Sequence, residues 1–193
     1  MQQTESVIVI SGIPRSGTSM VMKMLAAGGI EIVTDNLRKP DIDNPEGYFE
    51  FEKVKRLKDD FKWLAEMKGK GIKIISHLLY YLPMQLNYKI IFIRRNMEEI
   101  LASQKKMFER LHKTPDDLDD SILAKKFSSH LVNIDRWINK RDNIECFYVH
   151  YNEIVQDPHR QAENIGAFLG SGVSVDNMAS VVDLNLYRNR MNS

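Results

Sequence analysis

Cysteine is almost missing from this chain. Its one thiol, Cys146, cannot close an internal disulfide or build a cysteine-based zinc cluster, which fits a reducing compartment, and the cytoplasm is the expected location. An excess of one charge is missing too: the formal net charge is +1, so no overall field would hold a nucleic acid or an acidic membrane, and any anion site must be local. Glycine (10) and proline (6) are too sparse for collagen-like or low-complexity classes. The longest apolar runs, around Val7–Ile10 and Lys89–Ile93, are far too short to span a bilayer, and no basic segment precedes Val7. What remains is ordinary: 43% hydrophobic and 27% charged residues over 193 positions, enough for one folded domain across residues 1–193 with a real core.

Short β-branched runs alternate with amphipathic stretches. Val7–Ser11, Ile72–Ser76, Lys89–Ile93 and Glu145–Val149 are continuously apolar or nearly so, and Ile30–Val33 is a weaker fifth; such runs suit strands buried on both faces. Between them, Phe51, Val54, Leu57, Phe61 and Leu64 recur at helical spacing. So do the stripes from Met97 to Leu111 and from Leu118 to Ile138. The alternation predicts an α/β fold, a central parallel sheet of about five strands flanked by helices in three layers. Thr34–Tyr48, with Pro40, Pro45 and Gly47, and the acidic stretch Thr114–Asp120 read as irregular. In open sheets of this kind ligands sit beyond the carboxyl ends of the strands.

Directly after the first run comes Gly12-Ile13-Pro14-Arg15-Ser16-Gly17-Thr18-Ser19, then a helical stretch from about Thr18 to Ala27. Two glycines, two hydroxyls and a helix N-terminus with free N–H groups outline a phosphate-binding P-loop. Nucleotide hydrolases place a lysine after the second glycine. Here Thr18 stands there, and the positive charge is Arg15. Phosphoryl transfer also wants a strand-end aspartate for Mg²⁺, and only Asp35 offers one, so a kinase fits less well. The loop resembles the 5′-phosphosulfate loop of PAPS-dependent sulfotransferases, in its Pro-Arg-Ser-Gly-Thr-Ser form.

Two further stretches resemble the same family. One strand ends in Arg94-Arg95 and carries Ser103 eight residues later; in the family this pair binds the 3′-phosphate that distinguishes PAPS. Eight helical residues rise about 12 Å, so Arg95 and Ser103 would share a phosphate rather than touch. The other is Tyr151-Asn152-Glu153-Ile154 followed by Asp157-Pro158 and Phe168-Leu169-Gly170. It reads as strand, turn and a helix with Asp157 as N-cap and Pro158 in the first position. By resemblance Tyr151 lies near the adenine; as a bare tyrosine it equally suits packing.

The resemblance runs in family order from Val7 to Gly170. It implies sulfuryl transfer from PAPS to a hydroxyl or amine of a small-molecule acceptor, without a metal. It also implies a nucleotide site made of Arg15, Ser16, Gly17, Thr18, Ser19, Arg95, Ser103 and Tyr151. Met20 stands where cytosolic members carry an adenine-stacking aromatic. The Gly-rich basic C-terminal segment is absent, with Leu186-Tyr187-Arg188-Asn189-Arg190 in its place, so Arg188 and Arg190 are expected to close over the nucleotide. Two residues compete for the general base. His77 lies in Lys73-Ile74-Ile75-Ser76-His77-Leu78, similar to the family's Lys-Thr-His-Leu-Pro segment but with the lysine two residues early and Leu79 in place of the proline. Glu50 closes Asp43–Glu50, a segment like Asn-Pro-x-Gly-Tyr-x-Glu of other members. The short chain leaves the acceptor pocket small, open, or completed by a second subunit in a homodimer. A P-loop kinase and a non-catalytic nucleotide-binding domain are the alternatives. Arg15 and Arg95, off every apolar stripe, are expected to matter to ligand and not to the fold.

Overall fold

The computed structural model describes residues 6–35, 37–41, 44, 47–110, 119–170 and 172–183; Arg188 and Arg190 lie outside them. Five strands, β1 (Ser6–Ser11), β2 (Ile32–Val33), β3 (Gly71–Lys73), β4 (Asn87–Arg94) and β5 (Ile144–His150), form one parallel sheet in the order β2-β3-β1-β4-β5. The helices are α1 (Thr18–Ala27), α2 (Met97–Arg110), α3 (Asp120–Ile138), α4 (Tyr151–Gln156), α5 (Pro158–Leu169) and α6 (Val175–Ser180). Alternation along each strand divides the core in two. Ile8, Ile10, Ile91 and Ile93 face α1, α4, α5 and α6, whereas Val7, Val9, Ile90 and Phe92 face Ile134 and Ile138 of α3 and the turns before β3. Both faces are covered, which is why these strands read as unbroken apolar runs. Among the described residues no helix is long and apolar enough to cross a membrane.

Three expectations change. The stripe at Phe51–Leu64 is not one α-helix but two 3-10 turns, Glu52–Arg56 and Lys62–Met67. Its apolar residues recur at intervals of three on either side of the four-residue step from Leu57 to Phe61, and each side takes up the 3-10 period. The third strand stops at Lys73, although Ile74 N–H still donates to Ile10 O at 3.0 Å, and Ser76–Tyr81 winds into another 3-10 turn. The stretch after β5 is the helix α4 and not a turn. The α5 boundaries are as predicted: Asp157 caps it by accepting from Arg160 N–H at 3.1 Å, Pro158 occupies the first turn, and Gly170 ends it at φ 89°. Asp157→Ala is expected to cost about 1 kcal/mol, the usual worth of such a cap, read as a lower urea midpoint with unchanged slope.

Candidate functional site

The loop from Gly12 to Gly17 joins β1, at the centre of the sheet, to α1. Its backbone is tight: Arg15 adopts φ 71°, a left-handed conformation that costs a non-glycine residue of order 1 kcal/mol. Gly17, at φ 105°, has no room for a side chain, since a Cβ there would lie 2.4 Å from Cδ2 of Tyr151. The hydroxyl of Ser16 is buried without a hydrogen-bond partner, whereas Thr18 is 7% exposed at the first turn of α1. Glycine-enforced closeness, an orphaned hydroxyl and an uncapped helix start fit an oxyanion.

On one side of the loop, three residues that the sequence sets far apart converge. Arg15 Nε donates to Ser103 Oγ at 2.9 Å, and Arg95 Nη1 donates to the Arg15 carbonyl at 3.1 Å. Arg95 Nε also donates to Glu99 Oε2 at 2.9 Å, and its guanidinium lies 4.2 Å from the centre of the Tyr151 ring. The Arg95 and Glu99 side chains are 7% and 2% exposed, so this is a buried ion pair. Tyr151, 6% exposed, is wedged between Gly17 and Arg95 and braces the loop against β4. Beyond Arg95 and Tyr151 an open cavity of about 890 Å³ runs toward the Arg94–Asp135 ion pair and Tyr148.

The opposite side of the loop holds a different cluster. Lys73, at the end of β3, donates from Nζ to Ser19 Oγ at 3.2 Å and to the Tyr48 carbonyl at 2.9 Å. Burial pulls its ammonium down to about 8; Glu50 opposes that shift, and Arg38 and Arg15 add to it. Asn44 Nδ2 donates to the same Ser19 hydroxyl at 2.9 Å, which ties Asn44 to the start of α1. Glu50 is ion-paired with Arg38 at 2.9 Å, and Arg38 lies over the Tyr48 ring, whose hydroxyl donates to Asp41 at 2.7 Å. Burial and that carboxylate push the Tyr48 phenol up to about 12. Asp35, the only metal-binding candidate read from the strand ends, spends its carboxylate on the backbone N–H groups of Leu37 and Glu52 at 3.0 and 2.6 Å, and these bonds lower its pKa.

His77 is exposed in the 3-10 turn that follows β3, and Ser76 N–H beside it donates to Gly12 O at 3.1 Å, which fixes the turn to the loop. Its imidazole stacks on that of His130 from α3, with centroids 3.8 Å apart and planes parallel.

Arg15, Gly17, Arg95, Ser103 and Tyr151 therefore meet on one side of the loop, and Ser19 and Glu50 on the other. Arg15 turns toward Ser103 and away from the start of α1. Lys73, Glu99 and His130 were missed by the sequence reading. Glu99 is four residues after Arg95, a spacing that could have signalled the pair. Lys73 follows from register, since it lies opposite Ile10 on β1. His130, 53 residues after its partner, left no local sign.

The chain matches the family model described as "Sulfotransferase domain" over residues 5–191. It is 25% identical to Sulfotransferase 1A1 of Rattus norvegicus over 190 residues, covering 91% of this chain and 63% of that protein. It thus spans less than two thirds of that relative's length. Its fold is similar to that of a mouse sulfotransferase crystallised with PAP (TM-score 0.54, 21% identity, 92% of this chain and 62% of that one). It is also similar to the sulfotransferase domain of the Synechococcus PCC 7002 olefin synthase (TM-score 0.51, 16% identity, 92% and 77%).

Proposed function

Because the chain belongs to the sulfotransferase family, we propose that it transfers a sulfuryl group from PAPS to a hydroxyl or amine of a small-molecule acceptor. The observation that carries this reading is the second cationic corner beside the loop, where Arg15, Arg95 and Ser103 meet. A nucleoside triphosphate needs one polyphosphate cradle. A nucleotide with phosphates at both its 5′ and 3′ positions needs two separate ones, and a cationic corner beside the loop supports that reading.

In this reading the N–H groups of Ser16 to Ser19, with the hydroxyls of Thr18 and Ser19, hold the 5′-phosphosulfate, and Arg15, Arg95 and Ser103 hold the 3′-phosphate. Arg15 thus moves from the 5′ group, where the sequence resemblance put it, to the 3′ group. Lys73 supplies from β3 the cation that the loop lacks at Thr18, 3.2 Å from Ser19 Oγ. Bound PAPS supplies an activated sulfuryl group and a stable leaving phosphate. What the chain must add is charge compensation and a base. His77, exposed beside the loop, takes the acceptor proton. Glu50, tied to Arg38, serves as counter-charge to the Lys73 cluster. The full carboxylate use of Asp35 weighs against a Mg²⁺-dependent kinase.

Thermal-shift titration tests the reading. A charge-assisted contact at the second corner is worth roughly 1.5–3 kcal/mol, so PAP should bind at least about tenfold more tightly than ADP and raise the melting temperature accordingly. Added Mg²⁺ should leave the PAP shift unchanged. Equal shifts with ADP, or a strict Mg²⁺ requirement, would overturn the assignment.

A further inference from the structure

The stacked histidines do more than the proposed reaction asks of a lone base. His130 lies on α3, held by the burial of Phe127, Ile134 and Ile138, and its Nε2 is 2.8 Å from Ser76 Oγ. Ser76 in turn is anchored to Gly12 of the loop. His130 thus touches the neighbour of His77 through a hydrogen bond and His77 itself through a face-to-face stack. One residue fixes both the position and the ring plane of the other.

The surroundings explain which ring can carry charge. Arg94 at the end of β4 acts on His130 from below the stack, and Lys125 and Lys126 stand on the same face of α3. Tyr80, from the 3-10 turn, meets His130 edge-on with centroids 6.2 Å apart. No carboxylate acts on His130 among the groups that shift it; burial, His77 and Arg94 lower it to about 4. His77 is the solvent-facing member. Two imidazolium rings 3.8 Å apart would repel, so a proton on one ring disfavours a second on the other.

We propose that His77 and His130 act as one stacked imidazole pair that accepts a single proton, with His130 as a positioning residue that fixes the ring of His77 and takes up no charge. This rests on the reading of His77 as the base. In the transfer step, the acceptor's O–H or N–H bond breaks and the proton moves to a ring nitrogen of His77, the electron pair left on the acceptor atom forms the bond to sulfur, and the bond between sulfur and the bridging oxygen breaks with its electron pair leaving on the 5′-phosphate of PAP. His130 takes up no charge and only keeps its partner's ring in place.

The pair can be tested without any acceptor. In ring-¹⁵N-labelled protein, His130 should take up a proton only well below the ordinary histidine range. His77→Phe keeps a stacked ring but removes the neighbouring charge, and should raise the His130 midpoint by about one pH unit. An unmoved His130 midpoint in that variant, or both rings charging together in the native chain, would overturn the pair. Turnover then separates it from the base assignment. His130→Phe, which keeps the stack and loses the bond to Ser76, should lower kcat about tenfold and leave PAP affinity unchanged. His130→Ala should in addition flatten the acidic limb of the pH–rate profile. Ring coupling with an unchanged pH–rate profile in His130→Ala would retain the pair but overturn its positioning role. Loss of PAPS turnover from the native chain, with coupling intact, would count against the proposed function alone.

Discussion

Replacing Lys73 with methionine is expected to lower sulfuryl transfer by about a hundred- to a thousandfold and to make the protein more stable. The two effects have one cause. In the folded chain the ammonium is pulled from its usual 10.5 to about 8, chiefly by burial, so at pH 7 it is held charged in a place that disfavours charge. The sign follows from linkage. Between pH 8 and 10.5 the unfolded chain keeps the proton that the folded chain has released, so stability rises across that window, and below it the full penalty is present. Methionine removes the penalty and fills similar volume, while the Tyr48 carbonyl loses one donor. The net expectation is a gain of about 1 kcal/mol in urea unfolding. Catalysis moves the other way, because a fixed cation aimed at developing negative charge is typically worth two to three orders of magnitude. The stability gain should vanish when wild type and variant are compared above pH 10.5. A variant with full turnover, or with a lowered urea midpoint at pH 7, would show that Lys73 belongs to the fold and not to the reaction.

Arg95→Ala is expected to cost about 3–5 kcal/mol of stability, enough to unfold a marginal domain. The sequence reading treated this arginine as a ligand residue that the fold could spare, and the structure reverses that. Its guanidinium pairs with Glu99, 2% exposed, and donates to the Arg15 carbonyl, so truncation removes the cation from beside a buried carboxylate. A double change, Arg95→Met with Glu99→Leu, should recover most of the lost stability, since replacing both members of a buried pair by apolar groups is close to neutral. It should not recover PAP binding. Urea unfolding and calorimetric titration of both variants separate the two roles: an Arg95→Ala protein as stable as wild type would return this residue to the ligand alone. Arg15→Ala, by contrast, removes a half-buried side chain that donates to the neutral Ser103 hydroxyl, and should act on PAP affinity with the fold intact.

Much of this was legible before any coordinates. Five apolar runs gave five parallel strands, and Gly12 to Ser19 gave the loop, because tight turns and doubly buried strands leave local signatures. Asp157, Pro158 and Gly170 marked α5 for the same reason. The 51–64 stripe was misread because a mixture of three- and four-residue intervals is the spacing of a helical face, while its three-residue steps also satisfy a 3-10 turn. The side chains that finish the site were harder. Arg15 could point either way from its loop, and only the closeness of Ser103 decides it. Lys73 required knowing that β3 lies beside β1 with Ile10 as its register partner. The His77–His130 stack depends on how α3 crosses the sheet, which no local pattern encodes.

The Ser19 hydroxyl receives two donors, Lys73 Nζ and Asn44 Nδ2. A hydroxyl oxygen has two lone pairs, so both are spent and its own proton is left as the sole valence for a ligand. Such a group cannot rotate to accommodate a partner that carries hydrogen. A ligand arriving with a protonated oxygen would set donor against donor, whereas a fully ionised one completes the triangle. Selection for a bare acceptor oxygen is thereby written into a single serine: of two tetrahedral anions offered as probes at neutral pH, sulfate, which carries no hydroxyl, should be preferred over phosphate, which carries at least one.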